Sequence, residues 1–434
     1  MIGRGALVAY ALPALALSLP TIPAYVYLPG LYAERVGLAS TAAILFAVRM
    51  ADILADPLVG WVADRWGRRK ALIAVGAPIA GIGLVCLFTP GAGTGPAQLA
   101  LWALALYVGW SMVAIPYQAW GADLATGYDA RSAVAFVREL AGLAGILAAG
   151  ILPVVVTRTG GDLAASVAAV AWAGIAIGVP AFLLLLLVVP ERRRAPAQPV
   201  GPAAMLQVFR NQPFLRLMVA WSGNGLANGL AAALFPLFLR HRLEASESDT
   251  ALAMLLYFLA GILAVPFWLW LSRRVGKHRA WCVAMLCCSA AFVWAPLLGP
   301  GAIGWFLAIC VVTGATLGAD LALPSALQAD VLDYDRWRFR TERSGLMFAL
   351  WTMATKLAAG AAVGLGLGLL AAAGFSTDGG NDEWQLTLLA LIYGGLPVVI
   401  KLSVIGLIWR YRITARAHRA LSRRLAVRMR CADI

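Results

Sequence analysis

The sequence predicts an all-α membrane protein with twelve transmembrane helices, arranged as two six-helix halves around a central cavity. Three observations lead there. Of 434 residues, 62% are hydrophobic and 13% charged, against roughly 25% charged in an ordinary soluble domain, and the mean hydropathy is +0.81. The apolar residues gather in runs long enough for a helix to cross hydrocarbon, separated by short charged stretches. A pattern in the second run also recurs 209 residues later: Ala55-Asp56-Pro57 with Arg65-Trp66-Gly67-Arg68 is echoed by Ala264-Val265-Pro266 with Arg274-Val275-Gly276-Lys277.

Taken in order, the spans fall near 6–32, 39–63, 71–90, 97–122, 133–157 and 164–189 in the first half. The second half has them near 214–239, 249–271, 280–298, 302–327, 344–372 and 386–410. The first run is too long for a cleavable leader and no small-residue cleavage site precedes a soluble domain, so it reads as a spanning helix. The longest polar connection, residues 190–213, holds Pro190, Pro196, Pro199, Pro202 and Arg192-Arg193-Arg194; it divides a first half, 1–189, from a second, 214–410. A second echo links the fourth span, Pro116 to Asp123, with the tenth, Pro324 to Asp330. Residues 411–434 form a basic amphipathic tail expected to lie as a helix on the membrane surface.

Net charge is +14, and its placement explains it. With the N-terminus in the cytoplasm, the termini and the loops on that side, with Arg216 and Arg410 at the span ends facing it, hold 27 of the 35 basic residues. The opposite side holds Arg35, Arg158, Arg240 and Arg242, and Arg49, Arg138, Lys356 and Lys401 lie within spans. This bias is what orients a polytopic protein in a bacterial inner membrane with both termini cytoplasmic, and it leaves no need for a nucleic-acid partner. The expected partners are membrane lipid and a small-molecule substrate, with the chain a monomer.

Cys86, Cys282, Cys287, Cys288, Cys310 and Cys431 have neither zinc-site nor disulfide spacing, and five lie in apolar runs, so they read as packing residues. His241, His278 and His418 fall in loops or the tail. The sequence contains no HExxH, no phosphate-binding glycine loop and no Ser/His/Asp set. Gly364, Gly366 and Gly368 sit inside an apolar run, where they favour close helix packing. No enzyme and no cofactor are expected.

The chemistry lies in charges at membrane depth. Arg49, Asp52 and Asp56 share the second span, and the four-residue spacing puts both carboxylates on nearly one helix face, with Arg49 a turn away. A charge there costs on the order of 3 kcal/mol, so these groups should face protein or water and have a role. A purely structural alternative pairs them with Arg49 and Arg138. Lys356, in the eleventh span, is equally costly alone.

The stretch Gly60-Trp61-Val62-Ala63-Asp64-Arg65-Trp66-Gly67-Arg68-Arg69-Lys70 closely resembles the GxxxD(R)xGR(R/K) motif of the major facilitator superfamily. Within it, Arg49-x-x-Asp52-x-x-x-Asp56-Pro57 resembles the glycoside–pentoside–hexuronide:cation symporters. Ile115-Pro116-Tyr117, Arg138 to Gly145, Asn224-x-x-x-Asn228, Ala329 to Tyr334 and Thr352-Met353-x-x-Lys356 extend the likeness over most of the chain. The resemblance implies a transporter working by alternating access, with Asp52 and Asp56 as the coupling-cation site, Ser111 beside it and Lys356 occupying it when the ion leaves. It implies a cytoplasmic gate of Gly60, Asp64, Arg65, Gly67, Arg68, Asp123, Arg131, Asp330, Asp333 and Arg343. Candidate cavity residues are Ser18, Tyr25, Arg49, Gln118, Trp120, Arg138, Asn224, Asn228, Asp320, Trp351 and Thr352.

Departures from the family pattern bear on the solute and the ion. Ser18 and Ala114 replace the two aspartates that grip sugar hydroxyls, Gln118 replaces a tryptophan, and Ala55 replaces an asparagine of the cation site. Asp320 stands beside Leu321, the position of another cavity aromatic, and either accepts from substrate hydroxyls or pairs with a basic neighbour. Lys401 reads as structural. The expected function is cation-coupled symport of a small polar solute such as a sugar or glycoside. Alternatives are carriage of lysophospholipid-like amphiphiles and a non-transporting membrane sensor. The coupling ion is H+ or Na+, the missing asparagine favouring H+.

Overall fold

The structure, a computed structural model, describes residues 3–21, 28–91, 93–125, 128–158, 160, 163–191, 207–376, 379–414, 417–421 and 424. All of its regular structure among those residues is helical. The first half contains α1 (Arg4–Ser18), α2 (Leu28–Val36), α3 (Leu38–Trp66), α4 (Arg69–Phe88), α5 (Pro96–Leu124), α6 (Tyr128–Arg158) and α7 (Leu163–Val188). The second contains α8 (Gln212–Leu237), α9 (Glu247–Val275), α10 (Lys277–Phe292), α11 (Ile303–Phe339), α12 (Ser344–Ala372), α13 (Glu383–Ala390) and α14 (Leu396–Ile408). A π-turn, Leu391–Gly395, joins α13 to α14, so these form one span. Helices thus occupy all twelve expected positions.

Among the described residues, nine helical stretches are long and apolar enough to cross a membrane. Of the other three spans, α1 has 15 residues and residues 22–27 of that span lie outside the described set. Helix α3 carries Arg49, Asp52, Asp56, Asp64 and Arg65, and α8 carries Arg216, Asn224 and Asn228. The least apolar spans are thus among those that hold the candidate site.

Local chemistry sets the helix ends. Gly67, at φ 59°, closes α3 in the left-handed conformation, which glycine adopts without the penalty a Cβ brings. Asn211 accepts from the Phe214 amide to start α8, and Ser246 with Asp249 forms a reciprocal cap on α9. Prolines inside the helices, Pro57, Pro116, Pro266 and Pro324 among them, suit membrane helices, where neighbouring segments satisfy the freed backbone groups.

Two expectations change. Helix α11 runs to Phe339 rather than ending near 327. Its extension keeps a buried face holding Asp330, Asp333 and Asp335, and Asp333 pairs one turn on with Arg336 at 3.2 Å, so these acids are helical and not in a loop. The tail is corrected too: Tyr411, Ile413, His418 and Leu421 are buried, and the Tyr411 hydroxyl donates to the Pro213 carbonyl. Its described part packs on protein, with His418 against Asp333 and Asp330.

The chain divides into two compact units. One comprises Met1–Gln207 with Arg338–Met353, the other Val208–Trp337 with Ala354–Ile434. The first thus takes in the start of α12. Its core joins Tyr10, Ile73, Val113, Tyr117, Trp120 and Leu185, while the second centres on Leu234, Phe238, Phe306 and Tyr393.

Candidate functional site

Helix α3 carries the two aspartates into the interior of the first unit, with Asp52 and Asp56 at 1% and 0% exposure. Ser111, from α5, donates its hydroxyl to Asp52 Oδ1 at 3.0 Å. Arg49, a turn before, brings its guanidinium to 3.6 Å from Asp52 Oδ2, and lies over the Tyr107 ring at 4.3 Å. The aromatic face holds the cation without competing for the carboxylate. The arrangement offers carboxylate and hydroxyl oxygens on two helices, the donor set a proton or a small hard cation needs.

Arg138 pairs with its neighbour Glu139, a partner not foreseen in the sequence because adjacent helical residues do not ordinarily face each other. The close Arg138–Glu139 pair sits on α6. Nearby in the same unit Tyr10 and Tyr117 stack at 4.7 Å and exchange hydrogen bonds with each other's backbone. Ser18 ends α1, packed where α6 presents Gly142. Trp120 is buried in the core, its indole N–H donating to the Pro190 carbonyl and its ring facing Lys70 at 5.5 Å. Gln118 is part-buried and Trp351 buried; Tyr25 lies outside the described residues.

In the second unit the structure assembles a cluster that the sequence only hinted at. Asp320 Oδ1 accepts from Trp281 Nε1 at 2.7 Å. Its Oδ2 accepts from Asn228 Nδ2 at 2.8 Å and from Lys401 Nζ at 3.2 Å. The same ammonium donates to Asn224 Oδ1 at 2.7 Å. Of the two readings left open for Asp320, pairing with a basic neighbour is the one realised here, and four helices, α8, α10, α11 and α14, contribute. Trp281 and the role of Lys401 were missed. The signal available was Lys401 itself, a lysine deep in an apolar run. Thr352 and Lys356 lie one turn apart on α12, both partly exposed.

The gate candidates separate into two groups. Asp64, at the end of α3, accepts the Gly345 and Leu346 amides at 2.7 and 2.8 Å, a carboxylate placed on the N-terminus of α12 where unsatisfied N–H groups and the helix dipole favour it. Gly60 allows that approach: a Cβ there would stand 2.6 Å from both the Gly345 carbonyl oxygen and the Ala349 Cβ. Arg69 pairs with Asp123 and also donates to the Ala119 carbonyl and to Ser344 Oγ. Arg65 lies over Trp61 and Arg68 is exposed. Arg131 donates to the Ala125 carbonyl, and Arg343 is buried over the Phe339 ring. In the second unit Lys277 binds Asp330 at 2.6 Å, both fully buried, and His418 lies 3.1 Å from Asp333 and 3.6 Å from Asp330.

Comparison with known proteins now has geometry to meet. Residues 9–415 match the family model described as MFS/sugar transport protein. The chain is 22% identical over 417 residues to the uncharacterized symporter YjmB of Bacillus subtilis (strain 168), covering 91% of this chain and 89% of that one. It is 26% identical over 247 residues to the sodium-dependent lysophosphatidylcholine symporter 1 of Homo sapiens, covering 55% of this chain and 45% of that one. Its fold superposes on a bacterial homologue of the iron transporter ferroportin, solved in an outward-facing state, with a TM-score of 0.71 over 94% of this chain and 99% of that one, at 16% identity. That likeness concerns the fold alone. A multi-pass helical chain with repeated halves, matched along nearly its whole length, is a transporter and not an enzyme: it belongs to the MFS/sugar transport protein family of the major facilitator superfamily.

Proposed function

We propose that this chain is a cation-coupled symporter for a small polar solute, a sugar or glycoside, working by alternating access in a bacterial inner membrane with both termini cytoplasmic. The observation that carries the reading is the pair Asp52 and Asp56, buried in a helix at membrane depth, with the Ser111 hydroxyl on Asp52. Ion binding neutralises the carboxylates and favours the solute-binding state, so each ligand raises the other's affinity by the same factor. Ala55 in place of an amide ligand favours H+ over Na+, as does the closeness of two carboxylates, while Arg49 beside Asp52 works against protonation.

A second reading, carriage of an amphiphile with a polar head, draws support from the human lysophosphatidylcholine relative and from Ser18 and Ala114 standing where sugar-gripping aspartates would be. One experiment separates the two. Protein in liposomes is given an imposed proton gradient, then a sodium gradient, with panels of radiolabelled monosaccharides, glycosides and lysophospholipids. The proposal expects concentrative uptake of a sugar or glycoside under the proton gradient. Concentrative uptake of lysophospholipid alone favours the second reading, and uptake of any solute that ignores both gradients rejects coupling. A reporter fused after Arg410 should read cytoplasmic; a periplasmic signal overturns the orientation.

A further inference from the structure

The cluster around Asp320 belongs to the second unit and takes no part in the coupling reading above. Asp320 lies well inside α11 and Lys401 inside α14, both in apolar spans. Each charge costs on the order of 3 kcal/mol to place there. If its task were only to tie four helices together, apolar side chains of similar volume would serve at least as well.

The wiring points to a carboxylate that can change its charge. Lys401 has two acceptors, and the shorter bond, 2.7 Å, goes to the neutral amide of Asn224, against 3.2 Å to Asp320. Neutralising Asp320 therefore leaves the ammonium hydrogen-bonded. Asn224 is 1% exposed, and its amide lies against both Lys401 and Asp320, so it stays with the lysine whichever charge Asp320 carries. The groups on Asp320 are N–H donors from Trp281, Asn228 and Lys401. A sodium ion needs a cage of oxygens, which these do not supply; they favour the ionised carboxylate, so a proton must displace a donor, and Lys401, which keeps Asn224, is the one that can leave. The remaining titratable neighbours are Tyr257 on α9, Cys288 on α10 and Cys310 on α11 itself, whose ordinary protonation ranges leave them neutral at pH 7.

We propose that Asp320 is a second proton-binding site, located in the C-terminal half and distinct from the Asp52–Asp56 pair. Proton uptake on its carboxylate breaks the ion pair and leaves Lys401 on Asn224. The proton comes from the aqueous phase and returns to it, with no other bond made or broken.

Infrared difference spectroscopy on the purified full-length chain, stepped from alkaline to acidic buffer without added solute, tests this. Wild type should gain the C=O absorption of a buried carboxylic acid. Asp320→Asn should lack one such component, Asp320→Glu should restore it at a shifted frequency, and Asp52→Asn/Asp56→Asn should retain it. Should Asp320→Asn not fold, the charge-neutral pair Asp320→Asn/Lys401→Met carries the same expectation. A difference spectrum of Asp320→Asn superimposable on wild type overturns the proposal. Loss of the component in the Asp52/Asp56 variant but not in Asp320→Asn also overturns it, while leaving the coupling reading untouched.

Discussion

In the first unit Arg69, at the start of α4, pairs with Asp123 near the end of α5; in the second, Lys277 at the start of α10 pairs with Asp330 in α11. A positive-φ glycine, Gly67 or Gly276, precedes each basic residue. The units therefore repeat the device that fastens these helix ends. They differ at membrane depth, where the first places two aspartates with a serine on α3 and α5, and the second places one aspartate with a lysine, two asparagines and a tryptophan. They also differ at the Asp64 position, whose counterpart 209 residues on is Arg273. The repeated parts make the frame, and the unrepeated parts are where ion and solute chemistry is expected.

Burial makes the two end pairs energetically unequal, and this gives the largest expected effect. Lys277 and Asp330 are both 0% exposed, whereas Arg69 and Asp123 are 12% and 11%. Lys277→Met removes the lysine from the buried Asp330, leaving His418 at 3.6 Å, and should cost about 3 kcal/mol. Lys277→Met/Asp330→Asn should recover most of it. Thermal or chaotrope denaturation of the purified protein reads both. Equal losses in the single and double variants would mean the ion pair is not the source.

Asp64→Ala comes next, at about 2 kcal/mol, because it removes two charge-assisted caps from the α12 N-terminus. Its counterpart Arg273→Ala, exposed at the end of α9, should stay within about 0.5 kcal/mol. A matching cost at both positions would break the asymmetry drawn between the units. Arg69→Met should cost about 1 kcal/mol, since its partner keeps some water; a loss as large as for Lys277→Met would show that exposure does not rank these pairs.

Much of this was legible in the sequence. Hydrophobic runs located the twelve spanning positions, because a spanning helix must satisfy its own backbone and exclude charge. The Asp52–Asp56 spacing placed both carboxylates on one helix, and Ser111, named from the sequence beside them, donates its hydroxyl to Asp52. Partners on different helices were less legible. Lys401 and Asp320 are 81 residues apart, and helical periodicity gives a residue's face without saying which helix it meets. The motif suggested Arg65 and Arg68 as gate arginines; Arg69 adds a partner for Asp123 that the sequence did not name, because Arg65 ends α3, Arg68 is the non-helical cap before α4, and Arg69 is the first residue of α4. The tail read as a membrane-surface helix because its basic residues dominate its composition; burial of His418 against Asp333 depends on α11 continuing past 327.

The central claim is that Asp52 and Asp56 link solute movement to an ion gradient. Asp52→Asn and Asp56→Asn keep side-chain size and remove the charge that draws the ion. With the solute identified by the liposome panel, gradient-driven accumulation and gradient-free equilibrium exchange are measured side by side. The account predicts that exchange persists while accumulation falls to the equilibrium level in each variant. Accumulation by both variants at the wild-type level would contradict it and leave the pair a structural feature of α3.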